Sequence, residues 1–183
     1  MLWIVLAVVV LLALLVVVAY NGLIAKRNRS ENAWAQVDVQ LRRRYDLIPN
    51  LVEAVKGYAA HEKATFEEVT AARTAAEHAK GPAEQGQAEA SLGGAIGRLM
   101  AVAEAYPELR ATENFQQLQA ELGETENKIA TSRQVYNDTV LTYNNAVQQV
   151  PTNIVAGVFG FKVREYFELE LGDAAREPVA VKF

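Results

Sequence analysis

The dipeptide His61-Glu62 brings this sequence closest to a known catalytic motif. In the zinc signature H-E-x-x-H, two histidines one helical turn apart hold the metal, and the glutamate acts as general base. Thr65 stands where the second histidine is required, so a two-histidine zinc site cannot form. The other histidine, His78, has no obvious partner. We therefore interpret His61 as part of a solvated polar helix face and predict no metal site.

Other residue sets that could support chemistry are incomplete. Gly93-Gly94 lacks the lysine and the hydroxyl residue of a phosphate-binding loop. The Glu-x-x-His pairs of di-iron bundles are missing, because Tyr58 and Ala75 stand three residues before the two histidines. Cysteine is absent, which excludes disulfides, thiolate metal sites and cysteine nucleophiles. The sequence predicts no catalytic residues, no cofactor and no enzymatic activity.

Charge is unevenly distributed along the 183 residues, whose formal net charge is −4. Residues 21–60 hold seven Lys or Arg against four Asp or Glu, whereas residues 61–183 hold eleven against eighteen. A chain that is acidic overall has no basic field to attract nucleic acid. We expect no nucleic-acid partner.

The first element of the chain is an apolar run from Met1 to Tyr20 that contains no charge, no glycine and no proline. About 20 apolar residues in a helix cross the hydrocarbon core of a bilayer. A cleaved signal peptide is the alternative, since Val17 and Ala19 would pass as a cleavage site, but no basic residue precedes the run. The sequence favours a single transmembrane helix over residues 1–20.

Basic residues follow this run and indicate its orientation. Lys26, Arg27 and Arg29 come directly after it, and the positive-inside rule places such a flank in the cytoplasm. We expect a single-pass membrane protein with its basic flank in the cytoplasm and its N-terminus outside. The three cations would also contact anionic headgroups, at about 1 kcal/mol each. The alternative is that they serve only to stop translocation.

Residues 21–150 carry helical patterns and almost no strand signals. The first stretch repeats apolar residues every three or four positions: Trp34, Val37, Leu41, Tyr45, Ile48, Val52 and Val55. Pro49 either kinks this helix or begins a new one. Lys80-Gly81-Pro82 and Pro107 end the next two stretches. Gly93 and Gly97, one turn apart, would allow a neighbouring helix to approach closely, or would simply weaken the segment.

The last long stretch begins after Thr112, a suitable N-cap, and has a heptad pattern some 36 residues long. Its members are Phe115, Leu118, Leu122, Thr125, Ile129, Ser132, Tyr136, Thr139, Tyr143, Val147 and Val150. The polar members favour bundle packing over an isolated two-stranded coiled coil. The predicted fold is all-α: a transmembrane helix (1–20), an elongated antiparallel four-helix bundle (21–150) and a C-terminal segment (151–183).

Two further features could bind a partner. Arg42, Arg43 and Arg44 could contact an acidic surface, although Asp38 and Asp46 can pair with Arg42 within the helix. Residues 151–183 contain an aromatic cluster that we interpret as a cap on the bundle. The final residues have strand character, so an extended arm bearing Val179, Val181 and Phe183 could lie along a partner. The alternative is a frayed tail.

Taken together, these residues form a dispersed pattern that resembles the LemA family of bacterial membrane proteins. The matching segments run over nearly the whole chain: Tyr20-Asn21-Gly22-Leu23, Ala33–Leu41, Arg43–Glu53, Val55–Tyr58, His61-Glu62, Gly97–Leu99, Ala101–Pro107, Glu113–Phe115, Leu118-Gln119, Glu121-Leu122, Thr125–Asn127, Ile129-Ala130, Tyr136–Asp138, Tyr143-Asn144 and Phe159–Phe161. The resemblance implies a single-pass anchor, a bromodomain-like antiparallel bundle and no known enzymatic activity. Its relatives include proteins needed to form magnetosome membranes, and family genes often lie near membrane metalloproteases.

The sequence and the resemblance together favour a non-enzymatic, membrane-anchored scaffold that self-associates through long helical faces. Its expected partners are the lipid bilayer, further copies of the chain and, in the alternative, another membrane protein. In that alternative the chain is an envelope adaptor that docks a membrane protease or a signalling partner. Both expectations rest on fold-level analogy as well as on residue patterns.

Overall fold

The computed structural model describes residues 1–168, and within this range the protein is all-α with no strand. The helices are α1 (Leu2–Lys56), α2 (Lys63–His78), α3 (Gly81–Glu104), α4 (Pro107–Arg110), α5 (Glu113–Gln148) and α6 (Thr152–Phe159). Phe161 to Glu168 follow as irregular chain. The predicted all-helical class is confirmed.

α1 is a single helix of 55 residues that contains both the apolar run and the first stripe of the domain. Its N-terminal part is long and apolar enough to cross a membrane. Residues 1–168 bury none of this apolar part. Pro49 lies inside α1, so no new helix begins there. The first helix of the domain therefore continues directly from the apolar run.

Two compact units divide the chain, and the divisions fall within α1 and α5. Unit 1 contains Met1–Asp38 and Ala130–Tyr166, and unit 2 contains Val39–Ile129 together with Phe167 and Glu168. The predicted boundaries at residues 20 and 150 follow composition rather than packing, and they stay a prediction.

Unit 1 packs α1, α5 and α6 around a small apolar core. Leu23, Val155 and Ala156 are buried together, and Ala146 and Val147 of α5 lie against them. Further along, the rings of Trp34 and Tyr136 lie 5.1 Å apart. Leu23 lies near Ala146 and Val147, whereas Trp34, later in α1, contacts Tyr136, earlier in α5. The two helices therefore run antiparallel here.

Unit 2 buries one face of each of its helices. In α2 and α3, the contact of Gln85 with Ala76 and that of Arg98 with Glu68 show that these helices are antiparallel. The buried apolar positions of these two helices are Phe66, Val69, Ala76, Leu92, Ala95, Ile96, Leu99 and Ala103. The α1 stripe joins this core through Leu41, Tyr45, Ile48, Leu51 and Val55. Long apolar faces pack in this way because burial removes roughly 25 cal/mol of unfavourable hydration per Å².

The heptad seam of α5 is used inside the chain. Eight of its members are buried: Phe115, Leu118, Leu122, Thr125, Ile129, Tyr136, Thr139 and Tyr143. The hydroxyl of Thr125 donates to the Glu121 carbonyl at 2.8 Å, and that of Thr139 donates to the Tyr136 carbonyl at 2.7 Å. Because both hydroxyls are paired within their own helix, they can be buried at little cost. These eight positions are therefore not available for contacts between copies.

Candidate functional site

The end of the apolar run is held to the folded domain by an aromatic cluster in unit 1. The ring of Tyr20 lies 4.8 Å from that of Phe159 and 5.6 Å from that of Phe161, in tilted and edge-on arrangements. Such pairs contribute about 0.5–1.5 kcal/mol beyond the area they bury. The cluster lies at the end of the charge-free part of α1, because Tyr20 is the last residue of the apolar run and Lys26 is the first charged residue of the helix.

Arg27 is engaged with its own protein. Its guanidinium carbon lies 5.7 Å from the centre of the Phe161 ring, and its Nε atom lies 3.9 Å from Oε1 of Glu31 without forming a hydrogen bond. The same Glu31 oxygen accepts a hydrogen bond from Arg164 at 2.5 Å. These contacts tie the segment after α6 to α1. The predicted headgroup contact of Arg27 stays a prediction, and it would compete with these contacts.

Lys26 and Arg29 instead line an open cavity of about 420 Å³ in unit 1. Its other walls are Val135, Asp138, Thr139 and Thr142 of α5. The hydroxyls of Thr139 and Thr142 already donate to the carbonyls of Tyr136 and Asp138. The two cations suit an anionic group, although the Asp138 carboxylate reduces the local positive charge. The headgroup role of these two residues also stays a prediction.

The chain after α6 is fastened to α5 through backbone atoms. The hydroxyl of Tyr136 donates to the Glu165 carbonyl, and that of Tyr143 donates to the Lys162 carbonyl, both at 2.9 Å. Burial raises the pKa of both tyrosines, so both hydroxyls stay protonated and keep donating at neutral pH. Sequence analysis placed both rings on the seam but did not reveal what their hydroxyl groups contact.

A close approach of main chains occurs at Gly86 in unit 2. A Cβ atom built on Gly86 would overlap the carbonyl of Glu168, whereas Gly97 has no atom within 4 Å and Gly93 meets only the side chain of Arg44. The glycines that sequence analysis selected for close helix approach are therefore not the ones that need to be glycine for space. Phe167, next to Glu168, is fully buried.

A buried polar cluster occupies the middle of unit 2. Arg44, 5% exposed, donates to Oε2 of Glu89 at 2.9 Å, and its Nε lies 3.0 Å from Oε1 of Glu126. The other Glu89 oxygen accepts hydrogen bonds from the Tyr45 hydroxyl and from Gln85 Nε2. Gln85 also donates to the Ala76 carbonyl at 3.0 Å. The cluster thus joins α1, α2, α3 and α5.

Removal from water has the largest effect on the pKa values of Glu89 and Tyr45 in this cluster. Burial raises the pKa of Glu89, and the hydrogen bond from Tyr45, the charge of Arg44 and the hydrogen bond from Gln85 only partly offset this rise. Burial also raises the pKa of Tyr45, which therefore stays protonated. Arg44 and Glu89 are almost inaccessible and bind each other, so the cluster supports the fold and offers no open position to a substrate.

The predicted partner residues separate in the structure. Arg42 and Arg43 are exposed, whereas Arg44 is buried in the cluster just described. The expectation that Arg44 presents its charge to a partner is corrected. Arg44 lies on the same face of α1 as Leu41 and Ile48, and this face is buried. Val179, Val181 and Phe183 lie outside the described residues. Within residues 1–168, no group of three or more His, Asp or Glu is placed to hold a metal ion.

Comparison with known proteins gives a consistent result. A family model described as "LemA family" matches residues 33–183. The chain is 31% identical over 190 residues to Magnetosome protein MamQ 1 and to Magnetosome protein MamQ 2 of Paramagnetospirillum magneticum, covering 90% of this chain and 70% of each relative. It is 28% identical over 181 residues to Magnetosome protein MamQ of Magnetospirillum gryphiswaldense, covering 84% of this chain and 66% of that relative.

Proposed function

Because the chain belongs to the LemA family, we propose that it is a non-enzymatic, membrane-anchored scaffold that self-associates and organises or remodels the bacterial membrane. The observation that carries this proposal is α1. One helix supplies the exposed apolar run and then the buried stripe of the domain, so the domain is held beside the bilayer without an intervening linker. A helix with apolar residues on all sides needs apolar surroundings, and residues 1–168 do not cover this part of α1, which favours lipid.

The relatives support a role at a membrane. The MamQ proteins are named for magnetosomes, and neither their names nor the family description is that of an enzyme. The buried cluster around Glu89 supports the non-enzymatic part of the proposal, because its polar groups form hydrogen bonds with one another. A scaffold needs a stable fold and outward surfaces rather than a reactive centre.

We place the protein in the cytoplasmic membrane, with its N-terminus outside and its helical domain in the cytoplasm. Lys26, Arg27 and Arg29 support this orientation, because basic residues close to a span are retained on the cytoplasmic side. In this orientation the cavity lined by Lys26 and Arg29 would face the anionic headgroups of the inner leaflet.

Self-association would use outward faces, since the α5 seam packs within the chain. Apolar side chains that stay exposed outside the span include Val135 and Leu141, which are 47% and 49% exposed. The span is a further candidate, because small residues and close packing let helices associate in lipid. Several weak contacts of this kind become effective when the bilayer confines many copies to one plane.

The test is the mass of the full-length protein extracted together with its native lipid. The chain has a mass of 20.1 kDa, and the proposal expects particles that contain several copies at micromolar concentration. A double variant, Val135→Ser with Leu141→Ser, should shift the distribution towards smaller particles if α5 contributes. Single-copy particles from the unsubstituted protein would rule out a self-associating scaffold.

The adaptor is the second candidate, and the exposure of Arg42 and Arg43 is what favours it. An Arg42→Glu, Arg43→Glu variant should keep its self-assembly and lose a partner protein that co-purifies with the unsubstituted chain. Retention of every co-purifying protein by this variant would remove the reason to assign adaptor function to this surface.

A further inference from the structure

The segment around α6 is as free of charge as the span itself. From Val150 to Phe161 the chain contains no Asp, Glu, Lys or Arg, and the first charged residue after it is Lys162. Short, charge-free helices of this kind are normally buried between other elements. α6 is too short to cross a bilayer, so its apolar character needs another explanation.

Among residues 1–168, the protein covers only one face of α6. Val155 and Ala156 are buried against Leu23 of α1, whereas the opposite face is open to the surroundings. On that face Ile154 is 65% exposed and Val158, one turn further, is 76% exposed, while Phe159, on the covered side with its ring against Tyr20, is still 52% exposed. Val150, just before the helix, is 78% exposed. Contiguous exposed apolar side chains usually mark a surface that binds something.

The position of α6 along α1 shows what that surface faces. Its inner side packs on Ala19, Tyr20 and Leu23, which lie before Lys26 in the charge-free part of α1. The outer face of α6 is therefore level with the last turns of the span, where α1 leaves the hydrocarbon. Aromatic rings collect at this depth in membrane proteins, and Tyr20, Phe159 and Phe161 form such a group here.

The end of α6 fits the same boundary. Gly160 adopts a left-handed conformation with φ of 71°, and the N–H of Phe161 donates to the Ala156 carbonyl at 2.9 Å. Glycine at this position lets the chain leave the helix sharply without steric strain. Lys162 follows at once and is exposed, so charge returns where the chain turns away from α6.

We propose that α6 is an interfacial membrane helix, which inserts Val150, Ile154 and Val158 among the lipids of the leaflet from which α1 emerges. The occupant of this face is lipid rather than a second copy of the chain, because the inner side of α6 packs on Ala19 and Tyr20 at the end of the span, where side chains such as Val18 are exposed. Helices of this type bind in the plane of the bilayer through their apolar side. The inference rests on the proposed anchoring of α1, and it gives the chain a second contact with the membrane.

The absence of cysteine allows a direct test on the full-length protein. Single variants Ile154→Cys and Val158→Cys carry an environment-sensitive fluorophore, and the protein is reconstituted into vesicles of phosphatidylethanolamine and phosphatidylglycerol that contain nitroxide-labelled lipid. Val9→Cys reports the span. Val39→Cys, at an exposed site about 20 Å further along α1 than Lys26, is the water-exposed control.

We expect a blue-shifted emission at positions 154 and 158 and quenching by nitroxide lipid about threefold stronger than at position 39. If Val9 is quenched while positions 154 and 158 behave like position 39, the inference fails and the anchoring stands. If Val9 escapes quenching, the anchoring fails and the inference fails with it. Mutual quenching of the α6 labels that grows with protein density, without quenching by lipid, would assign the face to a second copy. All four sites are exposed, so substitution leaves no cavity, and unchanged circular dichroism confirms the fold.

Discussion

Asn144 holds the backbone of Arg164 through two hydrogen bonds, as a neighbouring strand would. Its Nδ2 donates to the Arg164 carbonyl at 2.9 Å, and its Oδ1 accepts from the Arg164 N–H at 2.8 Å. Only an asparagine or glutamine side chain offers one donor and one acceptor in this arrangement. A single residue of α5 thus satisfies both polar backbone groups of a residue that lies outside any helix.

Asn144→Ala should lower the free energy of unfolding by about 1–3 kcal/mol, because it removes both partners of the Arg164 backbone groups. The matched control is Asn145→Ala, since Asn145 is exposed and adjacent on the same helix. Thermal unfolding followed by circular dichroism measures both variants. Equal stability of the two would show that the Asn144 contacts contribute little.

Two glycines of α3 should respond in opposite directions to the same substitution. Gly86→Ala forces a methyl group onto the carbonyl of Glu168 and should destabilise the protein by about 1–3 kcal/mol. Gly97→Ala meets nothing within 4 Å in an exposed helical position and should stabilise it by about 0.5–1 kcal/mol. Denaturant unfolding of the pair gives both values. A stabilising Gly86→Ala would mean that the main chain at Glu168 does not lie against α3.

Glu89→Gln should lower the free energy of unfolding by about 1–3 kcal/mol at neutral pH, because the amide replaces one of the two oxygens that accept hydrogen bonds from Arg44, Tyr45 and Gln85. The cost should depend on pH in a defined direction. The pKa of Glu89 is raised on folding, so its contribution to stability is complete below the ordinary value of 4.5 and declines as pH rises through the folded value. Glutamine has no such titration.

The difference in unfolding free energy between the unsubstituted protein and Glu89→Gln should therefore be larger near pH 4 than at pH 7. Chemical denaturation of both proteins across this range measures it, and titrations that the two proteins share cancel. A difference that grows as pH rises would show that the charge of Arg44 outweighs burial and holds the pKa of Glu89 low.

Charge reversal beside the span should disturb its orientation. In Lys26→Glu with Arg29→Glu, the basic flank loses two of its three cations, so a fraction of molecules should insert with the domain outside. A cysteine at Val39 reports this, since a membrane-impermeant maleimide reaches it in intact spheroplasts only when the domain is outside. Lys56→Glu with Lys63→Glu, further from the span, is the control with equal charge change. Equal labelling of the two double variants would remove the orienting role of the flank.

Periodicity and punctuation predicted much of this fold, but not the break between Lys56 and Lys63, because the apolar spacing runs on through it to Phe66 and Val69. The α1 stripe, the breaks at Gly81 and Pro107 and the α5 seam all follow from apolar spacing and from residues that stop helices. Thr112 accepts a hydrogen bond from the Phe115 N–H at 3.4 Å, as its predicted role requires. Such features are local, so a single sequence reveals them. Pro49 was ambiguous because a proline within a helix costs about 3 kcal/mol, which tertiary packing can repay.

The polar contacts were harder to predict because they depend on which helices become neighbours. A signal for Arg44 was nevertheless present, since it lies three residues after Leu41 and four before Ile48. Gln85 and Glu89 likewise extend the apolar spacing of Leu92, Ile96 and Leu99 in α3. A polar residue at the spacing of an apolar stripe indicates that it is buried with a polar partner. The sequence of one helix does not show which other helix supplies that partner. Asn144 gave no comparable signal, because its partner is a backbone group.

The ion pair between Arg44 and Glu89 also fixes the register of α1 against α3. Two purely apolar faces can slide past each other by a turn and exchange one set of side-chain contacts for a similar one. A slip of one turn would move the Glu89 carboxylate about 5.4 Å away from Arg44 and leave two charges buried without their partners. The cluster therefore selects one register of α1 against α3 among several that apolar surfaces alone would allow.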